Sequence, residues 1–158
     1  MNELDDKAWR LIKALQADGR QPLKSLAAIA GLSIAATAER VKRLEEAGIL
    51  RGVHAEMSPA ALGYGVQAIV GINAPQPGKR KLIDKLSQMP EVLECLHVSG
   101  ADSYLLTVVA VDILHLEELI SSINMFGETR TTLVFSAPIA RRGISKPRPT
   151  HRQARLNR

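Results

Sequence analysis

The sequence predicts an α+β chain in two folded parts, three short helices and then a βαββαβ module, with a basic segment at the end. Three observations predict this. Apolar residues recur at helical spacing between Leu4 and Leu50, a period-two pattern replaces that spacing after Gly65, and the cationic excess is confined to the C-terminus. With 158 residues, 46% of them apolar, the chain has material for one ordinary domain or two small ones.

Leu4, Ala8, Leu11, Ile12 and Leu15 give a first helix one apolar face. Asp5 and Asp6 supply the negative charge its N-terminus favours, and Asp18-Gly19 ends it. After Gln21-Pro22, Leu23, Leu26, Ala27 and Ala30 define a second helix that stops at Gly31. Gly31-Leu32-Ser33 is a tight turn, because glycine tolerates a positive φ and the Ser33 hydroxyl can cap the next helix. That third helix runs to about Ala47 with Ile34, Ala38, Val41 and Leu44 inward. Gly48 terminates it, Ile49-Leu50 follows as an apolar plug, and Gly52 to Met57 is expected to form a short wing strand.

Ser58-Pro59 and Gly63-Tyr64-Gly65 punctuate the chain before the pattern changes. Val66, Ala68, Val70 and Ile72 alternate with Gln67, Ile69, Gly71 and Asn73 in a strand. Pro75, Pro77 and Gly78 form a loop, and Lys79 to Gln88 a helix with Leu82, Ile83, Leu86 and Met89 inward. Val92 to Ser99 and Tyr104 to Val111 are strands around the turn Gly100-Ala101-Asp102-Ser103. Leu116, Leu119, Ile120 and Ile123 mark another amphipathic helix, and Thr129 to Ser136 a last strand. This order is ferredoxin-like: an antiparallel sheet carries both helices on one face and leaves the other needing cover. Burial of that face against a second copy is expected. The expected divisions are 1–62, 63–140 and 141–158.

Net charge is +5, yet Arg141, Arg142, Lys146, Arg148, Arg152, Arg155 and Arg158 lie in a final stretch without acids, and the rest of the chain is slightly acidic. With Pro147 and Pro149 and no apolar pattern, this tail is expected to be disordered and to meet a polyanion first. No apolar run is long enough to span a membrane and the N-terminus is acidic, so a cytoplasmic protein is expected. Cys95 has no cysteine to pair with, and His54, His97, His115 and His151 share no metal-ligand spacing, so neither metal nor cofactor is expected. His97 and His115 are isolated, with no base, nucleophile and orienting group at interpretable spacing, and an enzyme is not expected.

Two short helices joined through a glycine turn fit a helix-turn-helix. The second carries Ala35, Ala36, Thr37, Glu39, Arg40, Lys42 and Arg43 outward, with Ser33 at its cap. Small side chains at its start let it approach base edges, while Arg40 and Arg43 can pair with guanine or phosphate. Ala36 and Thr37 are the expected base contacts, and Glu39 either accepts from cytosine or partners Arg43 one turn on. These residues alone leave two readings equally open, a DNA-reading helix and the solvated face of a three-helix bundle.

The ordered set of short motifs resembles the Lrp/AsnC family of transcription regulators. Leu4-Asp5, Leu11-Ile12, Asp18-Gly19-Arg20, Gly31-Leu32-Ser33, Arg40-Val41-Lys42-Arg43-Leu44-Glu45 and Gly48-Ile49-Leu50 carry it in the first part, with Gly52. Pro59, Leu62-Gly63, Pro90-Glu91-Val92, Ser99-Gly100, Tyr104-Leu105-Leu106, Gly127, Thr129 and Thr132 carry it in the second. The resemblance spans residues 4 to 136 and favours the DNA-reading helix. It implies an N-terminal winged helix-turn-helix, a C-terminal amino-acid-binding domain, promoter DNA as partner, and dimers assembling into tetramers or octamers. It places the effector near Gly100, Ala101, Asp102, Ser103 and Tyr104; taken alone, Gly100 reads as an ordinary hairpin glycine.

Two positions depart from the family pattern. Ala8 stands where a second acid is common, and the acid of the Gly-x-x-Asp-Tyr loop has moved one place, so Asp102 or Ser103 takes its role. The rival implied by the same layout is a siroheme decarboxylase, whose His/Tyr/Arg-rich pocket motifs have no counterpart here. A ligand-binding module without DNA contact is the second rival.

Overall fold

The structure, a computed structural model, describes residues 4–75 and 77–147. The chain divides into two compact units: one runs to Ala55 and takes in the chain again from Ala140, the other is Glu56–Ile139. No helix among the described residues is long and apolar enough to cross a membrane.

The first unit is built on α1 (Asp6–Ala17), α2 (Leu23–Ala30) and α3 (Ile34–Glu46). Asp5 caps α1, its carboxylate accepting from the Ala8 amide at 2.8 Å. Leu11, Ala14, Leu26, Ala30 and Leu44 make the core, with Val41 and Leu50 packed at its edge. Gly31 ends α2 at φ 64°, in the left-handed region, and the Leu32 amide then donates to the Ala27 carbonyl at 3.0 Å. That conformation costs a side-chain-bearing residue about 1 kcal/mol, which is why a glycine makes the turn.

Two expectations for this unit fail. The inward stripe of α3 is Thr37, Val41 and Leu44, whereas Ile34 is 51% exposed. At 100° per residue, positions 34, 37, 41 and 44 share one stripe, and Ile34, the first residue of the helix, stands at its exposed end. The wing strand at 52–57 does not form. A wing needs an antiparallel partner to close its ladder, and among the described residues this unit has helices only.

The second unit runs β1 (Val66–Asn73), α4 (Lys79–Leu86), β2 (Val92–His97), β3 (Tyr104–Ala110), α5 (Ile113–Ile123) and β4 (Glu128–Leu133). The sheet order is β2-β3-β1-β4 with every pairing antiparallel, which is the ferredoxin-like arrangement expected. Ala68, Val70 and Ile72 of β1 and Tyr104, Leu106, Val108 and Ala110 of β3 face Leu82, Leu86, Leu116, Leu119 and Ile123 of the two helices. Alternation along the strands sends Ile69, Leu96 and Leu105 to the opposite face.

Residues 141–147 have no regular secondary structure, and two of them, Ile144 and Lys146, bond to α1. Gln16 of α1 donates from Nε2 to the Ile144 carbonyl at 3.0 Å and accepts at Oε1 from the Ile144 amide at 2.6 Å. Lys146 Nζ lies 2.9 Å from Asp6 Oδ1. A paired backbone amide and carbonyl tie the segment in place without any apolar stripe to announce it. The rest of the expected tail, 148–158, lies outside the described residues.

Candidate functional site

The exposed side of α3 gathers most of the expected set. Ser33 Oγ accepts from the Ala36 amide at 3.2 Å, so the helix begins with one of its free N–H groups satisfied and the others directed outward. Ala35, Glu39, Lys42 and Arg43 are exposed, Ala36 and Arg40 half-buried. Ala36, Glu39 and Arg43 line up along the helix beside the buried stripe, a strip that is small at the helix start and charged one and two turns on.

Thr37 does not belong to this strip. It is fully buried, and its hydroxyl donates to the Ser33 carbonyl at 2.9 Å. The expected base contact is therefore a core residue, on the same stripe as Val41 and Leu44. Arg40 also differs from a free anchor: its Nη1 donates to Asp5 Oδ1 at 2.8 Å and ties α3 to the cap of α1. The Arg40 guanidinium, helped by the Ala8 amide, holds the Asp5 carboxyl below its ordinary value. Arg43 Nε lies 3.0 Å from Glu39 Oε1, one of the two partnerships expected for Glu39, and Lys42 pairs with Glu46 at 3.6 Å. Of these cations Arg43 is the most open, its side chain 71% exposed.

The loop before β3 splits its residues. Gly100 and Ala101 are exposed. Ser103 sits at the sheet edge, its amide donating to the Ile72 carbonyl at 2.9 Å and its hydroxyl 3.4 Å from both Asn73 Oδ1 and the Ala74 carbonyl. Tyr104 is buried in the helix-covered core, its ring centroid 5.0 Å from that of His97, so it is a packing residue. Asp102 reaches over the sheet instead: its carboxylate lies above Gly71 of β1 and pairs with Arg130 of β4. A Cβ at Gly71 would stand 2.6 Å from Asp102 Oδ2, so any side chain there would make the carboxylate shift. Arg130 carries no signal in the local sequence. Only the register Gly71↔Arg130 between β1 and β4 brings it to Asp102, and no local pattern announces that.

The Cys95 thiol is pushed up by burial, the environment of a packing residue and not of a nucleophile. Among the described residues no group of three His, Cys, Asp or Glu is placed to hold a metal ion.

Comparison with known proteins supplies the context for these surfaces. A winged helix-turn-helix DNA-binding model matches residues 4–51, and an Lrp/AsnC ligand-binding-domain model matches 67–144. A relative from Mycobacterium tuberculosis, the HTH-type transcriptional regulator LrpA, is 38% identical over 133 residues, covering 83% of this chain and 89% of its own. This chain belongs to the Lrp/AsnC family. Its relatives are regulators, not enzymes, which removes the decarboxylase alternative. An Lrp/AsnC structure from the same species, a feast or famine regulatory protein complexed with L-methionine, superposes with a TM-score of 0.81 at 35% identity over 87% of this chain and 96% of its own. LrpC of Bacillus subtilis superposes at 0.83 with 25% identity, covering 88% and 99% of the two chains.

Proposed function

We propose that this chain is a sequence-selective DNA-binding regulator that acts in the cytoplasm as a homodimer, assembles further into a tetramer or octamer, and responds to an amino acid or similar small effector. The observation that carries the reading is the strip Ala36, Glu39 and Arg43 on α3, backed by the buried Thr37 and Leu44. Its small N-terminal residues, Ala35 and Ala36, let the helix backbone enter a major groove. Arg43 exchanges Glu39 for a guanine edge or phosphate as chief anchor, and Glu39 is then free to accept from cytosine. Arg40 keeps donors beyond the one given to Asp5, Lys42 serves a flanking phosphate, and Ser33 brings the helix N-terminus to another. Two such helices related by a dyad ask for half-sites about one turn, ~34 Å, apart.

The apolar side chains Ile69, Leu96 and Leu105 on the helix-free face of the sheet support pairing with a second copy. The Asp102–Arg130 pair supports an effector carrying both charges, because an α-ammonium can replace Arg130 at Asp102 while the α-carboxylate takes Arg130, with the exposed Gly100 and Ala101 beside them. The L-methionine held by the feast or famine protein agrees with that chemistry. An effector bound there shifts assembly, and with it the spacing of the DNA-reading heads, by a coupling free energy.

The test is retention of genomic duplexes by the full chain at moderate salt, with particle mass read by light scattering. Selective retention by a particle of two or more copies is expected. Retention of none, or the mass of one copy, overturns the reading; silence toward DNA with intact heats of amino-acid binding favours the ligand-only module.

A further inference from the structure

We propose that the helix-covered side of the second unit joins one sheet-paired dimer to the next, with α4 of each copy lying against α5 of the other. This rests on the homodimer reading above and names the surface by which that dimer grows into a larger particle.

The charges of this unit are segregated by helix. Between Glu56 and Ile139 every lysine and arginine except Arg130 lies on α4, as Lys79, Arg80, Lys81 and Lys85. Arg130 is taken by Asp102, whereas among the described residues no cation of α4 has an ion-pair partner. Asp84 is the one acid of that helix. On α5 the sign is reversed: Glu117 and Glu118 are exposed, likewise unpaired among the described residues, and the helix has no lysine or arginine. Its His115 is turned to Glu91 at 3.4 Å.

Periodicity directs these side chains outward. Leu82 and Leu86 of α4 and Leu116, Leu119 and Ile123 of α5 go into one core on the same side of the sheet. At 100° per residue, Arg80 and Lys81 then stand on the far side of α4, and Leu114 and Glu118 on that of α5 with Glu117 beside them. Each surface also offers an aliphatic side chain for a facing copy to bury, Ile83 at 38% exposure and Leu114 at 70%.

Charge complementarity selects the occupant. Acids outnumber bases in the unit as a whole, so its field disfavours a polyanion, and α4 suits a partner whose acids are local. The α5 of a second copy is such a partner. A two-fold axis between two helix layers carries α4 of one copy over α5 of the other and repeats the contact in reverse, so the cluster of ion pairs forms twice. One exposed pair adds little, but several together with buried aliphatic surface make a contact. The sheet pairing uses the opposite face, and two different isologous contacts are what a dihedral tetramer or octamer needs.

The test is sedimentation of the full chain at about 0.1 M and about 1 M salt, where the screening length is about 10 Å and about 3 Å. The parent is compared with Arg80→Glu plus Lys81→Glu, with Glu117→Lys plus Glu118→Lys, and with all four changes together, each exposed position being checked for folding by circular dichroism. The parent should exceed the mass of a dimer at the lower salt and fall toward it at the higher. Each double reversal should stop at the dimer, and the fourfold variant, whose charges are again opposite, should regain the larger particle. A double reversal that keeps the larger mass, a fourfold variant that stays a dimer, or a larger mass indifferent to salt overturns the proposal. Where the larger mass is kept and duplex retention is lost instead, α4 meets phosphate. A parent that is a dimer throughout overturns the proposal and leaves the homodimer standing, whereas a parent with the mass of one copy fails earlier, at the homodimer itself.

Discussion

Thr37→Val separates the two roles that a residue on α3 can play. The side chain is fully buried and its hydroxyl donates to the Ser33 carbonyl, an acceptor that also receives the Thr37 amide at 2.9 Å. Valine keeps the shape, so no cavity opens, and the carbonyl keeps its backbone donor, so no buried acceptor is orphaned. What is lost is one neutral hydrogen bond, worth a net 0.5–1.5 kcal/mol, and part of that returns as a methyl replaces a hydroxyl in an apolar site. The helical unit is therefore expected to lose about 1 kcal/mol or less. Denaturant titration followed by Trp9 fluorescence reads this unit, because the one tryptophan of the chain sits on α1. Affinity for a selected duplex, measured where both forms are folded, is expected to stay within about twofold. Stability unchanged and affinity reduced tenfold or more would place the hydroxyl against a base and refute the burial argument.

Three further outcomes follow from the same geometry. Leu11→Ala, at the fully buried centre of the helical core, should cost about 2–5 kcal/mol and lower the transition reported by Trp9, while Leu106→Ala, fully buried in the sheet core, should leave that transition in place. Because Arg40 lowers the Asp5 pKa and Lys146 that of Asp6, the stability these carboxylates add is present above the ordinary carboxylate value of 3.8 and is lost as pH falls through their lower folded values. An acid titration of Asp5→Asn should accordingly show a shallower loss below about pH 4 than the parent. Gly71→Ala should drive the Asp102 carboxylate off Arg130, and calorimetry against the common amino acids should then give weaker heats than the parent, with duplex affinity retained in the absence of effector.

Much of the fold was legible in the sequence because it is carried by periodicity. The three helices appear where Leu11, Leu26 and Leu44 recur with their neighbours, and β1 occupies 66–73, where alternation places it. Strand ends were less legible: β2 stops at His97 and β4 at Leu133, short of the apolar pattern, since a strand ends where its partner ends. The α3 face was read from the apolar residues alone. That put Ile34 inside and left Thr37 out, although a threonine can face a core when a carbonyl one turn back takes its hydroxyl.

What the sequence concealed are contacts between residues far apart in the chain. Arg130 meets Asp102 only through the strand register, and Gln16 meets Ile144 across nearly the whole length of the chain. Neither pair has a spacing signature. The basic composition of the C-terminal segment suggested disorder from residue 141, and composition is silent about a single glutamine able to take both backbone groups of one residue.

The central claim is that the open strip of α3 reads base pairs, and Arg43→Ala tests it most directly. Arg43 is exposed and, among the described residues, its side chain is bonded only along its own helix to Glu39, so its loss should change folding stability by no more than about 0.5 kcal/mol. Anisotropy titration against the selected duplex, beside a scrambled one of equal length, should show specific affinity reduced by about 1–3 kcal/mol, roughly 5- to 150-fold, with the gap between the two duplexes narrowed. Equal affinity of parent and variant for the selected duplex would contradict the account.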